Sequence, residues 1–432
     1  MDYLFDFNKE RNKQITCQKI SLIKNLTIEN IMEGYLLPAK KEQQNLFGLG
    51  GVLSSKMEPV IKSFTVSGAK FTKKTEYKDA EIYFGGKYDV SSNVTKSDEE
   101  VVYLGYINNH WGHFLVDFST RLWAVKKYTN KNVKFVFLVN EGEKFEPSSN
   151  IKQFLELCGL TMDRIEFVNK VTNYKKIFLP ESSYITNVYY SEEYLQMFST
   201  LVDNCNINSS TLKNEKIYLT RTHFYKAKKT EFGEKQIENL FKQNGFLILS
   251  PEKLSLIEQI GLFNNSNLIV CMSGTLGHNL LFSQNDTELV ILNKTYNYNI
   301  VQRDINQITR KHVTYIDCYL APFPVSLGFG PFIMDFNENL QKFFIDRKFS
   351  SSKKSTDHFK KENVIRYMKR CRIHLNKIGF IYPKDTELNN YYATEHLEYF
   401  MENYYLETFP VKKTERVRIL LKNLILFITN KI

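Results

Sequence analysis

Two imidazoles, a carboxylate and a guanidinium fall within twelve residues of this chain, at His110, His113, Asp117 and Arg121. If residues 111–128 form a helix, these positions follow i, i+3, i+7 and i+11 and share one face. Phe114, Leu115, Phe118 and Leu122 remain for burial. Titratable groups held side by side perturb each other, which is how acid–base sites are built. His110, His113 and Asp117 are therefore read as catalytic candidates and Arg121 as a substrate contact. The same three groups would also suit a divalent ion. HExxH is absent, and no DxD stands at a convincing strand end, so acid–base or substrate binding is read ahead of metal. The bland alternative is histidines satisfied in a core.

A second group lies at Ser273-Gly274-Thr275-Leu276-Gly277-His278-Asn279, after a strand at Leu268–Met272 and at the start of a helix. Ligands of doubly wound sheets bind at the carboxyl ends of strands. A small-residue turn there presents backbone N–H groups that favour phosphate; an ordinary tight turn is the plain alternative. Arg221 follows a strand at 216–220, with Lys226, Lys228 and Lys229 behind it, a candidate anion clamp. A solvated basic loop is the better reading for each single lysine. Glu252 and Gln259 are expected on one face of a helix that Ser250 caps. Glu252 suits a sugar or ribose hydroxyl, or only the helix dipole.

The elements that must position these groups follow from periodicity. In the second half, strands at 216–220, 246–249, 268–272 and 288–292 alternate with helices at 231–243, 251–264 and 275–282. This β-α-β-α-β-α-β order predicts a doubly wound parallel sheet. In the first half, strands at 82–84, 101–107, 133–139 and 176–179 alternate with helical segments at 111–128 and 150–158. The glycine-rich stretch 46–51 lacks GxGxxG spacing and reads as a turn. Helical segments follow near 359–377 and 391–405.

The chain has 432 residues, too many for one compact domain, and a net charge of +11 spread without an Arg-rich block. No nucleic-acid partner is read. Six scattered cysteines without CxxC suit free thiols. No signal peptide and no run approaching about 18 apolar residues is found. A cytoplasmic location is expected. Residues 412–432 combine six basic residues with Val417, Leu420, Leu421, Leu424, Ile425 and Ile428 at helical spacing. That pattern suits an anionic membrane surface or packing against the body of the protein.

Taken together, the Asn109-His110-Trp111-Gly112-His113-Phe114…Asp117…Arg121 stretch resembles the family-61 glycosyltransferases, in their bacterial branch linked to capsular and other surface polysaccharides. The array Tyr218–Arg221, Gly233-Glu234, Gly245-Phe246, Ser250–Ser255, Glu258-Gln259, Ser273–Thr275, Asn279, Phe282 and 289–292 carries the rest of the resemblance, over residues 101–293. Ser273 stands where the family often has His, and His278 precedes Asn279. Lys228 or Lys229 stands where a second Arg is frequent. The resemblance implies an α/β fold of two Rossmann-like domains facing a cleft, the B-type glycosyltransferase architecture. The expected division is 1–200 for the acceptor, 201–330 for the nucleotide sugar, and a helical extension with the basic tail at 331–432. It implies inverting, metal-independent transfer, without a cofactor, from a UDP-linked donor to a glycan acceptor that is lipid-linked in some members. The base is His113 or Asp117, with His110 beside them. The substrate contacts are Arg221, Lys229, Glu234, Glu252, Gln259, Ser273, Gly274, Thr275, His278, Asn279 and Arg121. A non-catalytic carbohydrate-binding or scaffold subunit would keep the same fold.

Overall fold

The computed structural model describes residues 3–5, 19–40, 50–64, 88, 90, 94–205, 216–222, 231–296, 298–320, 330–351, 362–364, 366, 367 and 370. The expected strand at 82–84, Lys226, Lys228, Lys229, the helix at 391–405 and the tail at 412–432 lie outside them, as do most of 46–51 and of 359–377. Within them the fold is mixed α/β, built on two six-stranded sheets. No helix among the described residues is long and apolar enough to cross a membrane.

The strands of the two sheets, in chain order, begin with β1 (Tyr3–Phe5), β2 (Ile28–Leu37), β3 (Gly51–Leu53) and β4 (Thr95–Tyr106). There follow β5 (Lys134–Leu138), β6 (Ile165–Val168), β7 (Thr172–Pro180), β8 (Lys216–Leu219) and β9 (Leu247–Leu249). β10 (Leu268–Met272), β11 (Glu288–Asn293) and β12 (Val313–Asp317) complete them. The helices that matter here are α1 (Ser149–Leu157), α2 (Glu192–Asn204), α3 (Glu234–Gln243), α4 (Leu256–Asn265) and α5 (Ile300–Thr309).

The second sheet has the order β1-β12-β11-β10-β8-β9, and every pair in it is parallel. Its central strands β10 and β11 are covered on both faces, so they read as unbroken apolar runs. Alternate residues divide between two cores. Ile269, Cys271, Leu289 and Ile291 face one, while Val270, Met272, Val290 and Leu292 face the other. The first sheet, β3-β2-β7-β4-β5-β6, is mixed. β4 runs parallel to β7 and β5, but β2 runs antiparallel to β3 and β7. β1 and β2, close in sequence, thus belong to different sheets. One hydrophobic core is continuous across both halves. At its centre Phe114 meets Phe154 with ring centroids 4.9 Å apart, and Phe198 meets Phe282 at 5.4 Å.

Three of the expected helices are broken up in the structure. Residues 231–243 divide into a short strand, Glu231–Phe232, paired with Phe332–Ile333, and α3. Gly233 makes the break at φ +90°, where a Cβ would lie 2.0 Å from the carbonyl oxygen of Met334. Residues 250–264 divide into a 3-10 turn, Pro251–Lys253, and α4. The cap of α4 is Ser255, not Ser250, because Ser255 and Glu258 form a reciprocal capping box. Glu252 and Gln259 therefore do not share a helix. Residues 111–128 form one α turn (Trp111–His113), a π turn (Phe114–Phe118) and a 3-10 segment (Leu122–Lys127).

Candidate active site

The π turn explains what becomes of the His/Asp/Arg face. Ser119 N donates to Phe114 O at 2.9 Å, an i to i+5 bond that inserts one residue into the turn. Every later side chain is rotated off the helical face. Positions 113 and 117 keep their relation: His113 Nδ1 lies 2.6 Å from Asp117 Oδ2. Asp117 is buried, and His113 is 38% exposed at its side chain, open toward a cleft. His110 caps the turn by accepting from His113 N at 3.4 Å, and the two imidazole centroids are 4.5 Å apart. Arg121 leaves the group altogether. It is 1% exposed and donates to the carbonyls of Pro180, Lys62 and Phe64 at 3.1, 2.7 and 3.2 Å. It is a brace between the end of β7 and the 3-10 turn Ile61–Ser63, and its expected substrate contact is corrected on that ground.

The cleft has a volume of about 640 Å³ and is lined from both halves of the chain. Asn109, His110, Trp111, Gly112, His113 and Asn150 line it from the first half. From the second come Arg221 after β8, the turn Ser273–Leu276 after β10, Lys294 after β11, and Pro251, Glu252, Gln259, Met272 and Asn299. Two glycines permit this meeting. Gly274 has φ +145° and ψ −156°, a region that only glycine occupies without strain. A Cβ on Gly112 would lie 2.3 Å from Thr275 Cγ2, so the two turns approach closely only because that residue is glycine.

On the second-sheet side, two cations share one carboxylate. Lys294 Nζ lies 2.7 Å from Glu231 Oε1, and Arg221 Nε lies 3.7 Å from the same oxygen. Lys294 also sits over the ring of Phe332, 4.4 Å from its centroid. Glu234 lies beneath, 1% exposed, and accepts from Arg221 N at 2.8 Å. Burial, and then the neighbouring Glu231, push the Glu234 carboxyl up to about 8, against the pull of the Arg221 N–H. Glu234 supports Arg221 from below and does not line the cleft, which corrects its expected substrate contact. The group keeps one positive charge in excess when Glu234 is protonated.

His278 and Asn279 are placed beneath the turn, 3% and 2% exposed. His278 Nδ1 pairs with Gln302 Oε1 at 2.9 Å, and burial pulls its imidazole down to about 4, so it is neutral near pH 7. Asn279 bonds to Trp111 and Gln259. The helix expected to open at Thr275 is a 3-10 helix, Thr275–Phe282. Lys229 lies outside the described residues. Lys294, Glu231 and Asn299 were not read as site residues in the sequence. Lys294 had the same signal as Arg221, a basic residue at the carboxyl end of a buried strand. Among the described residues, no group of three or more His, Cys, Asp or Glu side chains is placed to hold a metal ion.

The protein-family model described as Glycosyltransferase 61 matches residues 111–290. That span begins in the His110–Asp117 turn, ends in β11 and contains every cleft element except Asn109, His110, Lys294 and Asn299. No curated protein matches the chain. Most of the cleft lies within the matched span, and the protein is a glycosyltransferase.

Proposed function

We propose that this glycosyltransferase transfers a sugar, with inversion and without a metal, from a UDP-linked donor to a glycan acceptor of a surface polysaccharide. The observation that carries the reading is the pairing, across one cleft, of a His–Asp dyad from the first half with a two-cation cluster from the second. The proposed architecture is the two-domain B type. The all-parallel second sheet supports it, with Arg221, Ser273 and Lys294 following the carboxyl ends of β8, β10 and β11. The surface-polysaccharide acceptor rests on the sequence resemblance alone.

The chemistry follows from the dyad. Asp117 holds His113 at Nδ1, so Nε2 is the nitrogen that takes the proton of the acceptor hydroxyl. The oxygen attacks the anomeric carbon opposite the diphosphate. The bond from that carbon to the diphosphate oxygen breaks, and the electron pair leaves with the diphosphate. Arg221, Lys294 and the N–H groups of Gly274 and Thr275 meet the developing charge, the N–H of Ser273 being taken by Leu292 O.

A thermal-shift panel of nucleotide sugars in excess chelator tests this reading. A donor at 100 times its dissociation constant stabilises the fold by about 2.7 kcal/mol, and a UDP-sugar is expected to do so with chelator present. Stabilisation by no nucleotide sugar, or only after a divalent ion is restored, contradicts it.

A further inference from the structure

A run of hydrogen bonds between side chains connects the two walls of the cleft. Trp111 Nε1 donates to Asn279 Oδ1 at 2.9 Å. Asn279 Nδ2 donates to Gln259 Oε1 at 3.2 Å. Gln259 Nε2 donates to the carbonyls of Pro251 and Leu254, at 3.2 and 3.1 Å. Asn279 and Gln259 are 2% and 6% exposed, so water is a poor substitute for any link.

The run has one direction. An indole N–H can only donate, and a backbone carbonyl can only accept. Each residue between them must accept at one end and donate at the other, as a side-chain amide does. The fixed ends decide which amide atom is oxygen and which is nitrogen at both positions. A carboxylate at either position cannot donate onward. Turning the Gln259 amide to rescue the Asn279 link would set its oxygen against two carbonyl oxygens.

The ends of the run are the parts of the cleft with chemical work to do. Trp111 stands between His110 and Gly112-His113, and Pro251 and Leu254 bracket the turn that carries Glu252. Trp111 and Pro251 line the cleft. Gln259 also borders it, but both its amide hydrogens are committed to carbonyls, which leaves little for a sugar hydroxyl. We infer that Asn279 and Gln259 are positioning residues, not sugar ligands, and that their one-way relay sets the spacing between the His113 turn and the Glu252 turn. The catalytic consequence rests on the proposed role of His113; the relay itself does not depend on which donor is used. Misplacement by about 1 Å costs on the order of 10²-fold in rate, so such a relay matters to turnover as well as to folding.

The chain has two tryptophans, Trp111 and Trp123, and Trp123 Nε1 donates to Glu181 O at 2.8 Å, outside the relay. Nitrogen-15 labelling therefore gives one indole signal inside the relay and one internal control. Gln259→Met removes a link two bonds away from Trp111. The expected result is a shifted Trp111 indole signal with faster solvent exchange and an unmoved Trp123 signal. Asn279→Asp, nearly unchanged in shape, still accepts from the indole but cannot donate to Gln259; it is expected to shift the Trp111 signal and leave Trp123 unmoved, and carries the test if Gln259→Met fails to fold. Turnover of whichever UDP- or GDP-sugar the wild type consumes falls by about 10–100-fold in Gln259→Met. Combining it with Trp111→Phe costs less than the product of the single losses, because both act through one network. A Trp111 signal unmoved in the folded variants, or multiplicative losses, overturns the inference. The indole measurement uses no donor, so its failure sinks the relay alone. A wild type that consumes no nucleotide sugar sinks the donor reading and leaves the indole result standing.

Discussion

Replacing His113 with Ala lowers sugar transfer by about 10²–10⁴-fold while UDP affinity stays within about twofold, the scale of a lost general base. The expectation rests on the 2.6 Å contact with Asp117 and on the place of His113 at the cleft. Asp117→Asn is the sharper variant. Its amide can donate to Nδ1, which leaves the proton on Nε2 and stabilises the wrong tautomer. Shape is kept and basicity at Nε2 is lost, so Asp117→Asn is expected to be nearly as inactive as His113→Ala. Near-normal turnover in both variants, measured by release of free UDP, would show that the dyad only supports the turn.

The second large effect concerns the cations. Arg221→Ala removes a charge-assisted contact and is expected to weaken UDP binding by roughly 1.5–3 kcal/mol, about 10–150-fold. Lys294→Met is expected to do at least as much, because Glu231 then neutralises the remaining Arg221. Glu231 would also be left buried with fewer partners, which destabilises the fold. The double variant Lys294→Met with Glu231→Gln avoids that: it leaves the net charge of the group unchanged but removes one of the two cations that would meet the diphosphate. Calorimetry with UDP and with uridine separates the roles, since only the diphosphate meets these cations. Equal weakening for uridine, or unchanged UDP affinity in the folded double variant, would refute the assignment.

Four of the six strands of the second sheet, β8 to β11, were legible as apolar runs, clearest at the fully buried Leu268–Met272, while β1 and β12 were not read. The first sheet was less so. Its pairing of β2 with β7 joins Ile28 to Pro180, and no local pattern announces a partner so far away. The His113–Asp117 pair survived the misread helix because i, i+4 neighbours meet in either kind of turn. Arg121 did not, because one inserted residue redirects everything after it and leaves no mark on hydrophobic spacing. Ser250-Pro251 and Ser255…Glu258 are both good helix starts in sequence; the reciprocal hydrogen bonds of the second decide between them. Glu234 was expected to touch substrate, and only the left-handed Gly233 against Met334 shows why it is buried. The relay through Asn279 was invisible, since Trp111 and Asn279 are 168 residues apart.

The configuration of the product tests the central claim most directly. With His113 as base and the diphosphate leaving from the opposite side, displacement is a single step. Proton NMR of the first-formed product from a UDP-α-sugar should show the β anomer, and intact-mass analysis of the enzyme during turnover should show no attached sugar. An α product, or a glycosylated enzyme during turnover, would contradict the account.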